Sequence, residues 1–428
     1  MVAGSLTAAA IILGAGLLAG GCPDHTTPDD QLLPFFHNTT DPTNDGAQYI
    51  GSAACSACHS DVAAQTRIHG HSHALNAVQG RAPEYAPEAT RANVPQPPAG
   101  STWNDISYVI SGYLHNALFV DQAGYVKTTG VDGVDSSWQL DFPANGTAAG
   151  FTAYLPDQAT PKPYDYTNCF RCHTTGPQPQ DPAAPRSQDG RIGILGTWAE
   201  ANVQCEACHG PGSFHAPQPQ RRNIFVDSSA AFCGRCHTGG TDPNGITATA
   251  GFLDGNGQYP QLLASGGHSK FACTVCHNPH ASITYERPAG LRNNCTTCHT
   301  DVNLAFHDGA VFEFGDYVEE VTCASCHMPL AGRSSSSASA AIVGDEARIG
   351  DVRAHIFRIN ATDTTANAFL PRGGSTVVVD ATGQAAVTVD FVCLRCHHDG
   401  SNVFSLTFNG AARIAHEMHA KASAANEP

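Results

Sequence analysis

Methionine is almost absent from the 428 residues; Met1, Met328 and Met418 are the whole supply. Methionine ligation of iron, which raises redox potential, can therefore be at most rare. Basic residues are also few, 22 Lys and Arg against 38 Asp and Glu, for a formal charge of −16. That argues against nucleic acid and anionic membrane surfaces as partners, since both require a basic patch. The first basic residue is Arg67, so the N-terminus lacks the usual positive flank of an export signal and points to a start upstream of Met1. Long apolar runs are missing as well. Ala8 to Ala19 matches the core of a signal peptide but falls short of a membrane span. With 42 Gly and 27 Pro, extended regular structure is expected to be scarce.

Cysteine is abundant, and sixteen of the 17 cysteines fall in eight copies of Cys-x-x-Cys-His. Random placement of these residues would give about 0.03 copies. Zinc sites need paired half-motifs and no His after every second Cys, and a disulfide framework would not set its cysteines two apart. Each copy reads as a c-type haem attachment site, with two thioether bonds and a His on iron. The expected attachment residues are Cys55 and Cys58, Cys169 and Cys172, Cys205 and Cys208, Cys233 and Cys236, Cys273 and Cys276, Cys295 and Cys298, Cys323 and Cys326, and Cys393 and Cys396. The corresponding iron ligands are His59, His173, His209, His237, His277, His299, His327 and His397. Eight covalently attached haems would supply much of the buried apolar surface and staple a loop-rich chain.

The expected fold is mainly α and loop-rich, wrapped around a stacked haem array, with a small antiparallel β insertion and a β-hairpin. Residues 1–22 read as a signal peptide ending at Cys22, whose surroundings resemble a lipobox imperfectly and suggest a lipid anchor. Residues 23–48 read as a flexible tether and 49–102 as a first haem module. Ser60 to about Gln79 has a helical pattern. Residues 103–160 hold short β-branched and aromatic runs between Gly and Asp turns, the β insertion. A dense six-haem core spans 161–330. Residues 331–428 carry a Ser/Ala linker, a hairpin of 375–379 with 386–390, the last motif and a closing helix over 410–423.

Each iron needs a sixth ligand or an open position. Beyond the motif histidines, His25 and His37 lie in the tether and are expected in solvent. Twelve candidates remain: His69, His71, His73, His115, His215, His268, His280, His307, His355, His398, His416 and His419. They suffice for bis-histidine ligation throughout. His398 directly follows a motif histidine and is expected at the surface; His115 sits in the β insertion and is not an expected ligand. His69 and His73, like His416 and His419, would share a helix face.

Tyr49-Ile-Gly-Ser-Ala-Ala-Cys55 through His73-Ala74 resembles the opening of cytochrome c554-type multihaem cytochromes. Cys205-Glu-Ala-Cys-His-Gly-Pro-Gly-Ser-Phe-His215 is similar to the most specific motif of that superfamily, which includes hydroxylamine oxidoreductase and pentahaem nitrite reductase relatives. Cys273 to His280, Cys323 to Pro329 and Asp351 to Arg358 also resemble its patterns. The resemblance implies His73, His215, His268, His280, His307 and His355 as distal ligands, with His416 and His419 completing the set. It also implies closely packed haems that pass electrons along a chain, at low potentials. The Cys-x-x-Cys-Lys site of related reductases is absent, and the last tyrosine, Tyr317, precedes the final motif. The expectation is thus an exported, lipid-anchored electron relay serving redox proteins or other multihaem cytochromes in the bacterial envelope. One alternative is an oxidoreductase acting on a small nitrogen or sulfur compound at one open haem. Another is a self-assembling filament, with His115 or His25 as an intermolecular ligand.

Overall fold

In each Cys-x-x-Cys-His segment, one helical turn brings the first cysteine and the histidine to the same face, because residues three and four apart lie together. The computed structural model shows this turn repeatedly. The backbone N–H of His59, His237, His277, His299 and His397 donates to the carbonyl of the first cysteine of its own motif, at 2.9–3.1 Å. The structure describes residues 46–219, 223–239, 245–302, 304–314, 317–334, 341–343, 346–362, 365–371 and 374–419. The signal-like segment, Cys22 and nearly all of the expected tether lie outside the described residues, as does most of the Ser/Ala linker.

Helices are short throughout; among the described residues none exceeds nine residues, the length of Ser60–Ile68 and Phe408–His416. The expectation of a mainly α chain is therefore corrected to short helical turns, loops and a sizeable sheet. The helix expected to run to Gln79 stops at Ile68. His69 leaves it with an extended backbone, Gly70–His73 forms a 3-10 turn, and Leu75–Ala77 becomes a strand. Two tertiary contacts explain the stop. The Tyr113 hydroxyl donates to the Ile68 carbonyl at 2.7 Å, satisfying an end group of the helix. Gly70 lies against the Tyr113 ring so closely that an added Cβ would sit 3.0 Å from it.

The sheet has nine strands: β1 (Leu75–Ala77), β2 (Ile106–Ser111), β3 (Asn116–Asp121), β4 (Tyr125–Val126), β5 (Ser137–Gln139), β6 (Gly150–Thr152), β7 (Lys162–Asp165), β8 (Gln178–Pro179) and β9 (Ile194–Thr197). Its main path runs β1-β2-β3-β4-β7-β9-β8, with β5 on β3 and β6 on β5. All pairings are antiparallel except β7 with β9. Strands on both sides of residues 103–160 therefore complete the sheet. A bulge between Ile106 and Tyr108 in β2 changes which residues share a face. Ile106 and Val109 then pack with Ala117 and Phe119, while Tyr108 and Ile110 pack with Val120, Val126, Tyr164, Phe170, Ile194 and Trp198. Phe170 belongs to the second motif, so this core holds that motif directly.

A second core, including Phe252, Leu253, Ile356, Phe369, Leu370, Val387 and Phe391, packs against Cys326 and Cys393 of the last two motifs. Here the expected hairpin is absent. Its turn forms, with the Asp380 N–H donating to the Gln384 carbonyl at 2.8 Å, but its arms find other neighbours. Val377 bonds to Ile246 and Val378 to Phe369, while Val387 bonds to Arg358 and pairs in parallel with Ile359. Val389–Val392 is helical. Burial in the core outweighs pairing with the sequence neighbour. Arg348 ties this half together, bonding Asp390 at 2.5 Å and the carbonyls of Gly251 and Leu370 at 2.8 Å. The closing helix begins at Phe408, where the Thr407 hydroxyl accepts from the Gly410 N–H.

The chain before the first motif is held by one buried carboxylate. Glu206, 2 % exposed, accepts from the N–H groups of Ile50, Gly51 and Gly212 at 2.7–3.1 Å. Bonds to a charged acceptor contribute about 1.5–3 kcal/mol each, so Glu206→Ala is expected to cost about 3 kcal/mol. The measurable result is a lower melting temperature and faster proteolysis around residues 47–51; unchanged values would remove Glu206 from this role.

Candidate haem-binding array

Seven motif histidines face a second imidazole contributed by another part of the chain. The ring centroids are 6.2 Å apart for His59 and His215, 6.2 Å for His237 and His71, and 6.1 Å for His209 and His280. They are 6.1 Å apart for His277 and His355, 5.8 Å for His299 and His268, 6.0 Å for His327 and His419, and 6.1 Å for His397 and His307. Two metal–nitrogen bonds of about 2.0 Å, plus about 1.1 Å from each nitrogen to its ring centre, require about 6 Å. The spacing therefore fits one iron between each pair, and the cysteine pairs beside them fit thioether attachment of its porphyrin.

Hydrogen bonds orient several of these rings. Nδ1 of His209, His327 and His397 bonds the carbonyls of Phe225, Phe357 and Phe404 at 2.8–3.2 Å, and Nδ1 of His237 bonds Gln258 Oε1 at 3.0 Å. With Nδ1 protonated, the Nε2 lone pair is free for iron. His173 is held in the same way, by the Ala74 carbonyl at 2.9 Å. Yet among the described residues no second imidazole lies opposite His173. Around its motif stand Tyr164 and Phe170, both fully buried, and Trp198.

Six histidines implied by the family resemblance, His215, His268, His280, His307, His355 and His419, lie opposite motif histidines. Two do not. His73 gives Nε2 to the Arg67 carbonyl at 3.0 Å and stacks on Tyr113 at 5.4 Å, so its iron-binding nitrogen is already engaged. His416, at the exposed end of the closing helix, lines a surface groove with Asn409 and Arg413. His71 takes the place opposite His237. It was one of the twelve candidates, and only the end of the helix at Ile68 brings it there. The His69 ring lies tilted against that of His71, 4.4 Å between centres, and accepts from the His71 N–H through Nδ1 at 3.0 Å. His115 lies 3.3 Å from the buried Asp351 carboxylate. His398 is buried at 6 % exposure, against the surface position expected for it. His25 and His37 lie outside the described residues.

Burial keeps most of these imidazoles neutral. It lowers His355 to about 3, with His277 adding to the effect, and lowers His69 to about 4. His209, His268, His277, His280, His307 and His327 move down for the same first reason. Neutral imidazole is the form that binds metal.

Thiols of different motifs approach one another, which shows how the sites connect. Cys55 bonds Cys205, holding the Cys205 thiol down near 6, and Cys236 bonds Cys172, holding it near 7. Cys233 bonds Cys273, and Cys295 bonds Cys323. Cys208 also lies near Cys233, Cys276 near Cys295 and Cys326 near Cys393. The first motif thus adjoins the third, and the third adjoins the fourth. From the fourth, one branch reaches the second motif, and another runs through the fifth, sixth and seventh to the eighth.

Residues 153–210, which contain the second and third motifs, match the family model described as cytochrome c554 and c-prime. No curated protein sequence matches the chain. Among solved structures, the octahaem sulfite reductase MccA of Wolinella succinogenes is similar at a TM-score of 0.59 and 16% identity, over 87% of this chain and 71% of that one. The outer cell wall cytochrome OcwA gives 0.47 at 18% identity, covering 89% and 92% of the two chains. An undecahaem cytochrome from the S-layer of Carboxydothermus ferrireducens gives 0.40 at 18%, covering 67% and 51%. The fold shared with the first of these, the eight motifs and the paired imidazoles define a multihaem c-type cytochrome.

Two outcomes follow for the haem-loaded protein. His71→Ala should convert one low-spin ferric haem to high-spin with haem content intact, whereas His73→Gln should leave the low-spin count unchanged; the reverse result would exchange their roles. The lowered histidines stabilise the fold fully above the free-imidazole value of about 6.5. That stabilisation is lost as pH falls from there toward about 3–4. Iron competes with the proton for these rings, so the low-spin Soret spectrum is expected to collapse in or below that acid window and not on the alkaline side.

Proposed function

We propose that this chain is an exported octahaem cytochrome in which seven bis-histidine haems carry electrons to or from one haem that does chemistry. That haem would be held by Cys169, Cys172 and His173, and its iron would take a small nitrogen or sulfur compound as sixth ligand. The observation that carries this reading is the difference between His173 and its seven counterparts. Through Ala74, His173 is oriented as an iron ligand should be, yet no imidazole faces it among the described residues. An iron saturated by two histidines cannot bind substrate; one held from a single side can.

The placement of the second motif supports the same reading. It ends a branch of the thiol path, so electrons would reach or leave it through the fourth-motif haem and its ligands His237 and His71. The protein's own part is to hold His173, exclude water with the aromatic wall of Tyr164, Phe170 and Trp198, and fix the spacing of the carriers. The fold shared with an octahaem sulfite reductase makes sulfite one compound to try. Haem attachment through thioethers and the signal-like segment ending at Cys22 support export and lipid anchoring in a bacterial envelope. Donor and acceptor would be other redox proteins, steered by the acidic surface. A filament linked through His115 is disfavoured, because Asp351 lies beside that ring.

The deciding measurement is low-temperature EPR of the oxidised, haem-quantified protein. Seven low-spin signals and one high-spin ferric signal that moves on adding sulfite, nitrite, hydroxylamine or cyanide are expected. Eight low-spin signals that ignore these ligands would make the protein a closed electron relay.

A further inference from the structure

Between the seventh and eighth motifs lies a group of buried charges that haem attachment itself does not require. Arg395, inside the eighth motif and 2 % exposed, grips the Glu319 carboxylate with both terminal nitrogens at 2.9 Å. Its Nη2 also reaches the carbonyl of Ser325, inside the seventh motif, at 3.3 Å. Arg353 adds a second guanidinium to the same carboxylate at 3.1 Å and bonds the carbonyls of Ala324 and Met328 at 3.1 and 3.0 Å. The hydroxyls of Ser325 and Tyr317 complete the carboxylate's partners at 2.6 and 2.5 Å.

The charge count at this spot is unbalanced. Two guanidiniums share one carboxylate, and both reach the backbone of the seventh motif, Arg395 at the Ser325 carbonyl and Arg353 at that of Ala324. The nearby Asp390, beside Cys393, does not restore neutrality, because Arg348 pairs it at 2.5 Å. Burial pushes the Glu319 carboxyl up, but Arg395 and Arg353 outweigh it and hold the group well below the ordinary carboxylate range. Guanidinium keeps its charge at any working pH. The cluster therefore carries a fixed net positive charge, with Arg395 and Glu319 in the poorly screened interior and Arg353 at its edge.

We propose that the Arg395–Glu319–Arg353 cluster raises the redox potential of the haems carried by the seventh and eighth motifs above that of the other bis-histidine haems. The inference rests on the haem reading of those two motifs and not on the open iron at His173. Reduction adds an electron to each haem, and a fixed positive charge nearby stabilises the reduced form. The eighth motif ends the long branch of the thiol path. Electrons would collect there, opposite the branch that ends at His173, and meet an external redox protein. Arg395 and Arg353 are in this sense positioning residues for the potential, not ligands.

Spectroelectrochemical titration of the full-length, haem-quantified protein tests this with variants that move charge in opposite directions. Glu319→Gln should shift a two-haem component to higher potential, and Arg353→Gln should shift the same component lower. Each shift should change its reduced-to-oxidised ratio at fixed potential about tenfold, or ~59 mV for a one-electron couple. Arg395→Lys, which keeps the charge, should stay close to the parent protein. Arg353 is partly exposed, so its variant reports even where a change at Arg395 disturbs haem attachment. Shifts of the same sign in Glu319→Gln and Arg353→Gln, or none with haem content intact, would overturn the proposal. EPR spin states report on His173 separately, so failure there and failure here are distinguishable.

Discussion

Everything in this structure depends on pairs of imidazoles brought opposite one another with ring centres about 6 Å apart, the separation that one iron requires. One ring of each pair is placed locally, by the helical turn of its own Cys-x-x-Cys-His segment. The other comes from elsewhere, so each pair cross-links the chain. His59 with His215 and His71 with His237 tie the first module to the third and fourth motifs. His327 with His419 and His397 with His307 close the other end. Helices of nine residues or fewer are marginal by themselves in water, and these cross-links are what such a chain can use instead of long helical packing.

What could be read beforehand follows from where the information lies. The motif residues are contiguous, so their chemistry was legible from spacing alone, and the β-branched runs after Ile106 announced strands. The distal set was harder. His71 and His73 are two residues apart in one histidine-rich stretch, and local pattern favours neither. The choice is made by Tyr113, which caps Ile68, packs on Gly70 and stacks on His73. All three contacts cross forty or more positions of sequence. The failed hairpin has the same cause: Ser375–Val379 and Ala386–Asp390 look like partners, but each arm is drawn to a neighbour across the second core.

The two ends of the array are built from different materials. The second motif is set into the sheet, with Phe170 among Tyr164, Ile194 and Trp198, a wall that is aromatic and stiff. The seventh and eighth motifs are set against fixed charges, with Glu319 between two guanidiniums and Asp390 against Arg348. The first environment would keep the iron proposed at His173 dry and oriented. The second suits irons whose affinity for electrons is to be adjusted. Desolvated charges are costly unless paired, and each of these carboxylates has a guanidinium partner.

The fourth motif connects these ends, since its thiols adjoin those of the second, third and fifth. Its distal ring, His71, comes from the turn just before strand β1, and Ala74 at the end of that turn also orients His173. One short segment, 71–74, therefore positions both the junction and the branch that ends at His173. A backbone shift there would alter the ligation of one site and the orientation of the other together. This coupling explains why the segment is so heavily fixed: Tyr113 holds its start, Asn76 donates to the carbonyls of His73, Val109 and Ser111, and the Leu75 N–H donates to Asn202. Rigidity at 71–77 would thus be a requirement of the proposed electron path, and the sheet that supplies it would serve that path as much as the haem motifs do.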